Sequence, residues 1–258
     1  MRFIHLTDTH LGPRPDYQIE GHATPTLPNV EAVIREINEL PFEPDFILHT
    51  GDVVDDRSEA AYRLAKPVFE KLTAPIYYVV GNHDDGDTMQ RVLLGRTGSP
   101  SRFDYYGEIG GVALAVFETR GPVDPGGTLT PSQFVAIREL CRPEGPPLII
   151  AIHHQPIPLD VTWLDLRMPL DCGPEFLDAI APARERIRGV FFGHVHRSFQ
   201  VMRDGILFSS AMSACAQITG WPNSATPIPN PDELPGFSIV TITETETIVR
   251  QHTVKRPM

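Results

Sequence analysis

A chain of 258 residues suits one large domain with its own core, and 41% hydrophobic against 21% charged residues excludes disorder and fibrous repeats. With 22 Lys and Arg against 33 Asp and Glu, the formal charge of −11 repels polyanions and excludes long nucleic acid as a partner. No apolar run reaches the ~18 residues of a membrane span. The strand-like start at Met1-Arg2-Phe3-Ile4 leaves no room for a signal peptide, and Cys141, Cys172 and Cys215 lack paired spacing, so a cytoplasmic protein without disulfides is expected.

A buried strand is predicted over residues 3–7, ending abruptly in Asp8-Thr9-His10. Gly12, Pro13, Pro15, Pro25 and Pro28 then deny helix to a stretch longer than the usual ~6-residue connection, which marks a functional loop. His22 sits in this loop, where exposed histidines are common and substrate contact is the less expected reading. Asn29 caps a helix in which Val30, Val33, Ile34, Ile37 and Leu40 follow helical spacing until Pro41 and Pro44. A strand follows over 46–49, then a helix capped by Ser58 that runs to about Leu72 with an interruption at Pro67, then a strand over 76–80. Strands joined by helices imply a parallel sheet.

Further strands are predicted over 112–118, 148–152 and 190–192, with helices over 130–140 and 174–187. The closing third turns β-rich: short strands over 199–202, 206–209, 237–242 and 247–251, with Arg203-Asp204-Gly205 as a hairpin turn. Residues 221–235, with five prolines, read as a surface loop. No repeat or linker interrupts the chain, which gives an α/β fold in a single domain over 1–258. Its core spans about 1–200 and its C-terminal β-hairpin region about 198–258.

In open α/β sheets ligands gather beyond the carboxyl ends of the strands. The polar motifs fall there: Asp8-Thr9-His10, Gly51-Asp52, Gly81-Asn82-His83-Asp84, His153-His154 and Gly193-His194-Val195-His196. On extended backbone residues two apart share a face, so Asp8 and His10 grip one object, as do His194 and His196, while Thr9 and Val195 face away. Carboxylate, imidazole and amide donors together suit Mn, Fe, Co or Zn. They are too many for one ion, whereas two ions ~3.5 to 4 Å apart, sharing a bridging carboxylate, would use them all. Gly51, Gly81 and Gly193 read as turn residues with positive φ. His5 and His49, inside strands, read as core, and Cys215 as inert packing.

The order D-x-H, GD, GNHD, a strand-end histidine and GHVH resembles the calcineurin-like metallophosphoesterase superfamily from Asp8 to His196. Within it the chain looks most like the bacterial class III cyclic nucleotide phosphodiesterases and related glycerophosphodiesterases, through His153-His154-Gln155-Pro156, Trp163-Leu164-Asp165 and Pro235-Gly236-Phe237. The resemblance implies a four-layer α/β/β/α sandwich and hydrolysis of small phosphodiesters, in which two metal ions lower the pKa of a shared water for in-line attack on phosphorus. It assigns Asp8, His10, Asp52 and His196 to one ion and Asp52, Asn82, His153 and His194 to the other, with Asp52 as the bridge. The ions would be iron, manganese, zinc or cobalt.

Of two consecutive histidines the first is the usual ligand in this family, which leaves His154 outside the ligand set, although Gln155 intervenes where the family commonly has proline. His83 is placed over the phosphate as general acid or charge stabiliser, and Asp55, three residues past Asp52, would orient its ring. A phosphomonoesterase is the runner-up, and it would want extra cations where only Arg57 and Arg197 stand beside the motifs. A silent protein-binding scaffold is disfavoured by the complete ligand set. Relatives often assemble through the C-terminal β region, so residues 237–242 are a candidate homo-oligomer contact.

Overall fold

The computed structural model describes residues 1–21, 25–96 and 102–257; His22 lies outside them. Strand β1 (Arg2–Leu6), helix α1 (Thr26–Asn38), β2 (Phe46–His49), α2 (Glu59–Phe69) and β3 (Ile76–Tyr78) open the chain. A short turn α3 (Gly86–Thr88) runs into a π-helical segment (Met89–Leu93), and β4 (Tyr105–Ile109), β5 (Val112–Val116), α4 (Pro131–Leu140) and β6 (Leu148–Ala151) follow. Then come α5 (Thr162–Arg167), α6 (Gly173–Ile180), β7 (Ile187–Phe192), β8 (Gln200–Arg203) and β9 (Ile206–Ser210). A two-residue pair β10 (Gln217–Ile218) and β11 (Pro229–Asn230) precedes β12 (Gly236–Ile242) and β13 (Thr247–Thr253).

The strands form two main sheets, ordered β13-β12-β1-β2-β3 and β4-β5-β6-β7-β9-β8. Parallel pairing joins β1, β2 and β3 in the first and β5, β6, β7 and β9 in the second, and each sheet is finished by antiparallel strands. The closing β-rich part is thus divided: β8 and β9 extend one sheet, β12 and β13 the other.

Alternation along each strand decides the layers. Phe3, Phe46 and Leu48 point inward to meet Leu114, Val116, Ile149 and Phe191 of the facing sheet. Phe3 stacks on Phe46 at 4.7 Å and takes the edge of Phe191 at 5.2 Å. Burying each such ring contributes roughly 1.5 to 3 kcal/mol. Their neighbours Ile4, Leu6 and Ile47 point outward to pack under Val33, Ile37 and Tyr62 of α1 and α2. Ile150, Val190 and Phe192 likewise pack under Phe134 and Ile137 of α4 and Phe176 of α6. The result is a four-layer α/β/β/α sandwich. Among the described residues no helix is long and apolar enough to cross a membrane.

Several elements differ from the sequence expectation, among them α2, which runs through Pro67 and ends at Phe69, and α5, which had no sequence signal. Helix α1 begins at Thr26, not at an Asn29 cap, because Pro28 falls in the first turn, where no N–H is needed. Asn29 is buried inside the helix and its Nδ2 donates to Cys215 O. Helix α6 stops at Ile180, where Pro182 permits only a 3₁₀ turn (Ala181–Ala183), and β7 already begins at Ile187. Strand β4 had no sequence signal: Gly107 and an exposed Tyr106 hide its alternation, and it is held as an edge strand by β5. Within the proline-rich 221–235 stretch, Pro229 and Asn230 pair with β10.

Candidate metal centre

The loops after β1, β2, β3, β6 and β7 converge at one rim, through backbone that is not strand-like. Asp8, His10, Asp52, His194 and His196 hold φ of 51°, 42°, 54°, 71° and 48°. The pairing of Asp8 with His10 and of His194 with His196 therefore comes from left-handed turns, and the expectation of strand alternation is corrected. Such residues cost roughly 1 to 3 kcal/mol each and persist where the surroundings over-determine them. Here the loops are laced together: Asp8 N donates to Gly51 O, Thr9 N and His10 N to Asp52 O, and His194 N to the Asp8 carboxylate.

The glycine expectation is also corrected. Only Gly51 has positive φ, at 101°. Gly81 and Gly193 are required for close approach, since a Cβ at Gly81 would strike the Asp52 carboxylate and one at Gly193 would strike Thr7 Oγ1 and Thr50 O.

Asp84 fastens the second and third loops from beneath. Its buried carboxylate accepts from Val53 N at 3.1 Å, Val54 N at 3.2 Å, Gly81 N at 3.0 Å and Tyr62 Oη at 3.0 Å. Asp84→Ala leaves those donors buried without partners and should lower stability by roughly 2 to 5 kcal/mol, read by urea denaturation. A loss under about 0.5 kcal/mol, the range of ordinary surface changes, would contradict this role.

The ring nitrogens disclose what the site is shaped to hold. A carbonyl or carboxylate oxygen can only accept, so the nitrogen facing it carries the proton. His10 Nδ1 donates to Asp55 Oδ1 at 2.7 Å, His153 Nδ1 to Thr50 O at 2.7 Å and His196 Nδ1 to Ala216 O at 2.8 Å. In the neutral rings the three Nε2 atoms are then lone-pair donors, and all point at other acceptors. His10 Nε2 and His196 Nε2 face each other at 2.9 Å, with Asp8 Oδ1 at 3.9 and 3.8 Å. His153 Nε2 faces Asn82 Oδ1 at 3.1 Å. Asp52 Oδ2 is common to both groups, 3.5 Å from His10 Nε2 and 3.2 Å from His153 Nε2. His194 Nε2 is buried with no hydrogen-bond partner. Opposed lone pairs at such distances repel unless a cation or proton lies between them, so the donor set fits metal ions. Outside this set, His154 has both ring nitrogens engaged: Nε2 donates to Pro125 O and Nδ1 accepts from Thr119 Oγ1.

The electrostatics agree. Burial opposes charge on every ring, yet hydrogen bonding to Asp55 and the nearby carboxylates hold His10 up at about 9, and Asp52 does the same for His153, also at about 9. Burial prevails at His154 and His196, lowered to about 3, and at His194, also driven down. Burial lifts Asp8 to about 6, while the imidazoles of His153, His83 and His10 overcome burial at Asp52 and hold its carboxyl well below the usual range. Protons thus stand in at the points where cations would bind.

His83 lies beside this cluster with its side chain 40% exposed, its backbone N donating to Asp52 Oδ1 at 2.8 Å. Its Nδ1 donates to the backbone carbonyl of Asp55 at 2.7 Å, which leaves Nε2 as the ring nitrogen available to a ligand. Asp55 thus holds the His83 ring through its backbone carbonyl, with its carboxylate 3.4 Å away, while that carboxylate bonds His10 Nδ1 at 2.7 Å and accepts from Tyr17 Oη, so it also serves the D-x-H loop. Tyr17 gave no sequence signal. His5 and His49 are buried, bonded to Thr50 Oγ1 and Thr9 Oγ1, and lowered to about 3 by burial.

A cavity of about 370 Å³ opens over the cluster, where the polar His10, Asp52, Asp55, Asn82, His83, His194, His196 and Glu20 share the lining with the apolar walls of Ile19, Pro125, Met168, Ile218, Pro227 and Pro229.

Comparison with known proteins gives this geometry its kinship. The chain is 30% identical over 217 residues to a cAMP/cGMP dual specificity phosphodiesterase of Mycobacterium tuberculosis (strain CDC 1551 / Oshkosh), covering 82% of this chain and 67% of that protein. It is 27% identical over 218 residues to the 3′,5′-cyclic adenosine monophosphate phosphodiesterase CpdA of Escherichia coli (strain K12), covering 84% and 77%. The fold is shared with purple acid phosphatase from yellow lupin (Lupinus luteus) seeds at a TM-score of 0.67 and 13% identity, over 98% of this chain and 51% of that one. A family model described as calcineurin-like phosphoesterase matches residues 1–198, and the chain belongs to that family.

Proposed function

We propose that this chain hydrolyses small phosphodiesters of the cyclic nucleotide or glycerophosphodiester type at a two-metal centre. Asp8, His10, Asp52 and His196 would hold one ion, and Asp52, Asn82, His153 and His194 the other, with Asp52 common to both sets; iron, manganese, zinc or cobalt suits the mixed oxygen and nitrogen donors. The observation that carries the reading is the convergence of lone pairs from two sides on Asp52 Oδ2. The relatives named as cyclic nucleotide phosphodiesterases support the substrate class.

When bound, the two ions would supply positive charge for the phosphoryl oxygens and lower the pKa of a bound water. The chain's own residues do the rest. Asp55, itself held by Tyr17, fixes His10 in the tautomer that offers Nε2, as Thr50 O and Ala216 O do for His153 and His196. His83, its Nδ1–H tied to Asp55 O, would act in its doubly protonated form, giving the Nε2 proton to the leaving oxygen as the P–O bond breaks and leaving the neutral ring with Nδ1–H still on Asp55 O. The apolar walls of the cavity receive a base or an alkyl group and exclude water.

The monoester reading loses ground at Arg57, whose guanidinium is spent on Asn82 O at 2.5 Å and Asp124 Oδ2 at 2.6 Å. A cytoplasmic location belongs to the same proposal, supported by the free thiols of Cys141, Cys172 and Cys215. So does a homo-oligomer contact through the C-terminal β region. The net charge of −11 supports small substrates over polymers. Rates on cAMP, glycerophosphocholine, bis(p-nitrophenyl) phosphate, p-nitrophenyl phosphate and single-stranded DNA test this. The small diesters should lead in kcat/KM; DNA or the monoester matching every diester would overturn the reading.

A further inference from the structure

We propose that Arg102 and Arg120, with Arg57 held at the edge by Asp124, form a phosphate-binding lobe beside the metal centre that receives a second phosphate carried by the substrate; this rests on the diesterase reading for the identity of the scissile group. The three arginines lie far apart in sequence, and the fold gathers them around a cavity of about 300 Å³ whose lining includes Asn82, Glu118 and Asp124. Asn82 also lines the cavity over the metal cluster, as does Pro125, the neighbour of Asp124. The two cavities thus lie side by side, sharing Asn82 and bordered by the adjacent residues Asp124 and Pro125.

The charges in the lobe are unevenly matched. Arg57 pairs with Asp124 at 2.6 Å, and the other oxygen of that carboxylate faces Asn82 Nδ2 at 3.4 Å. Glu118 Oε2 accepts from Phe103 N, and Glu118 Oε1 stands 3.6 Å from Arg120 Nε, beyond hydrogen-bond length. Arg120 Nη1 is 3.9 Å from Asp85 Oδ2 and donates to Asp84 O. Arg102 has no carboxylate partner among the described residues: its Nη2 donates to the carbonyls of Glu118 and Arg120, and its buried Nε has no partner. Backbone anchoring explains part of this arrangement but uses few of the five donors on each guanidinium. It explains neither the orphaned Nε nor a polar cavity collecting three arginines in a chain of net charge −11. Planar guanidinium forks match phosphate oxygens two at a time, and a phosphate supplies the acceptors this cluster lacks.

The test compares thymidine 5′-(p-nitrophenyl phosphate) with and without a 3′-phosphate, which share the scissile diester and the leaving group. The 3′-phosphorylated ester should have a kcat/KM higher by about 10-fold or more, the order of one charge-assisted pair. That ratio should fall toward 1 in Arg102→Met and Arg120→Met and stay at the wild-type value in Arg203→Met on the remote hairpin. If Arg102→Met does not fold, Arg102→Lys, which keeps charge but loses the planar fork, should give an intermediate ratio. Calorimetric binding of thymidine 3′,5′-bisphosphate against thymidine 5′-monophosphate reads the same preference without turnover. A binding preference lost in Arg102→Met, with neither ester hydrolysed, would keep the lobe and overturn the diesterase reading. Equal affinities and equal rates in the wild-type protein would overturn the lobe.

Discussion

Asp52→Ala is expected to lose both metal ions and more than roughly 10³-fold in diester hydrolysis, whereas His10→Ala keeps one ion. Asp52 Oδ2 stands 3.5 Å from His10 Nε2 and 3.2 Å from His153 Nε2, so it is the oxygen that both donor groups share. Its other oxygen holds His83 N, and its backbone carbonyl holds Thr9 N and His10 N. The alanine variant keeps the backbone bonds but also loses the contact to His83 N, so circular dichroism of the same variant is needed to separate metal binding from folding of the loop. Elemental analysis of purified variants reads the outcome, and two ions per chain retained in Asp52→Ala would refute the shared position.

His83→Ala should retain its metals and lose roughly 10²- to 10⁴-fold in rate on cAMP, the range for a general acid. The backbone N bonds Asp52 and is kept in the variant, while the ring is held by Asp55 O with Nε2 left for the substrate, so its loss removes a proton donor and no ligand. The deficit should shrink for p-nitrophenolate, a leaving group that departs without protonation. Equal deficits for poor and good leaving groups would assign His83 to charge stabilisation.

Both sheets were legible wherever a β-branched or aromatic run ended in a polar motif, because buried parallel strands read as continuous apolar segments. Strand β4 was not, since Gly107 and the exposed Tyr106 carry no buried alternation. The start of helix α1 is hidden in the sequence because proline, a breaker in a helix interior, is tolerated in its first turn. At the site, the motifs named the residues that the fold brings together, but on the wrong backbone: the positive φ of Asp8, His10, Asp52, His194 and His196 is imposed by loop-to-loop hydrogen bonds that no local spacing encodes. Contacts made across the fold were equally hidden. Tyr17 meets Asp55 across the loops that follow two paired strands, and Arg57, Arg102 and Arg120 gather in one cavity from distant stretches of the chain.

The most direct test of the two-metal centre is a titration of chelator-treated protein with Mn²⁺ while cAMP hydrolysis is recorded. The lone pairs opposed around Asp52 Oδ2 predict no hydrolysis without metal and saturation at two ions per chain. Full hydrolysis by the metal-free protein, or saturation at a single ion, would contradict it.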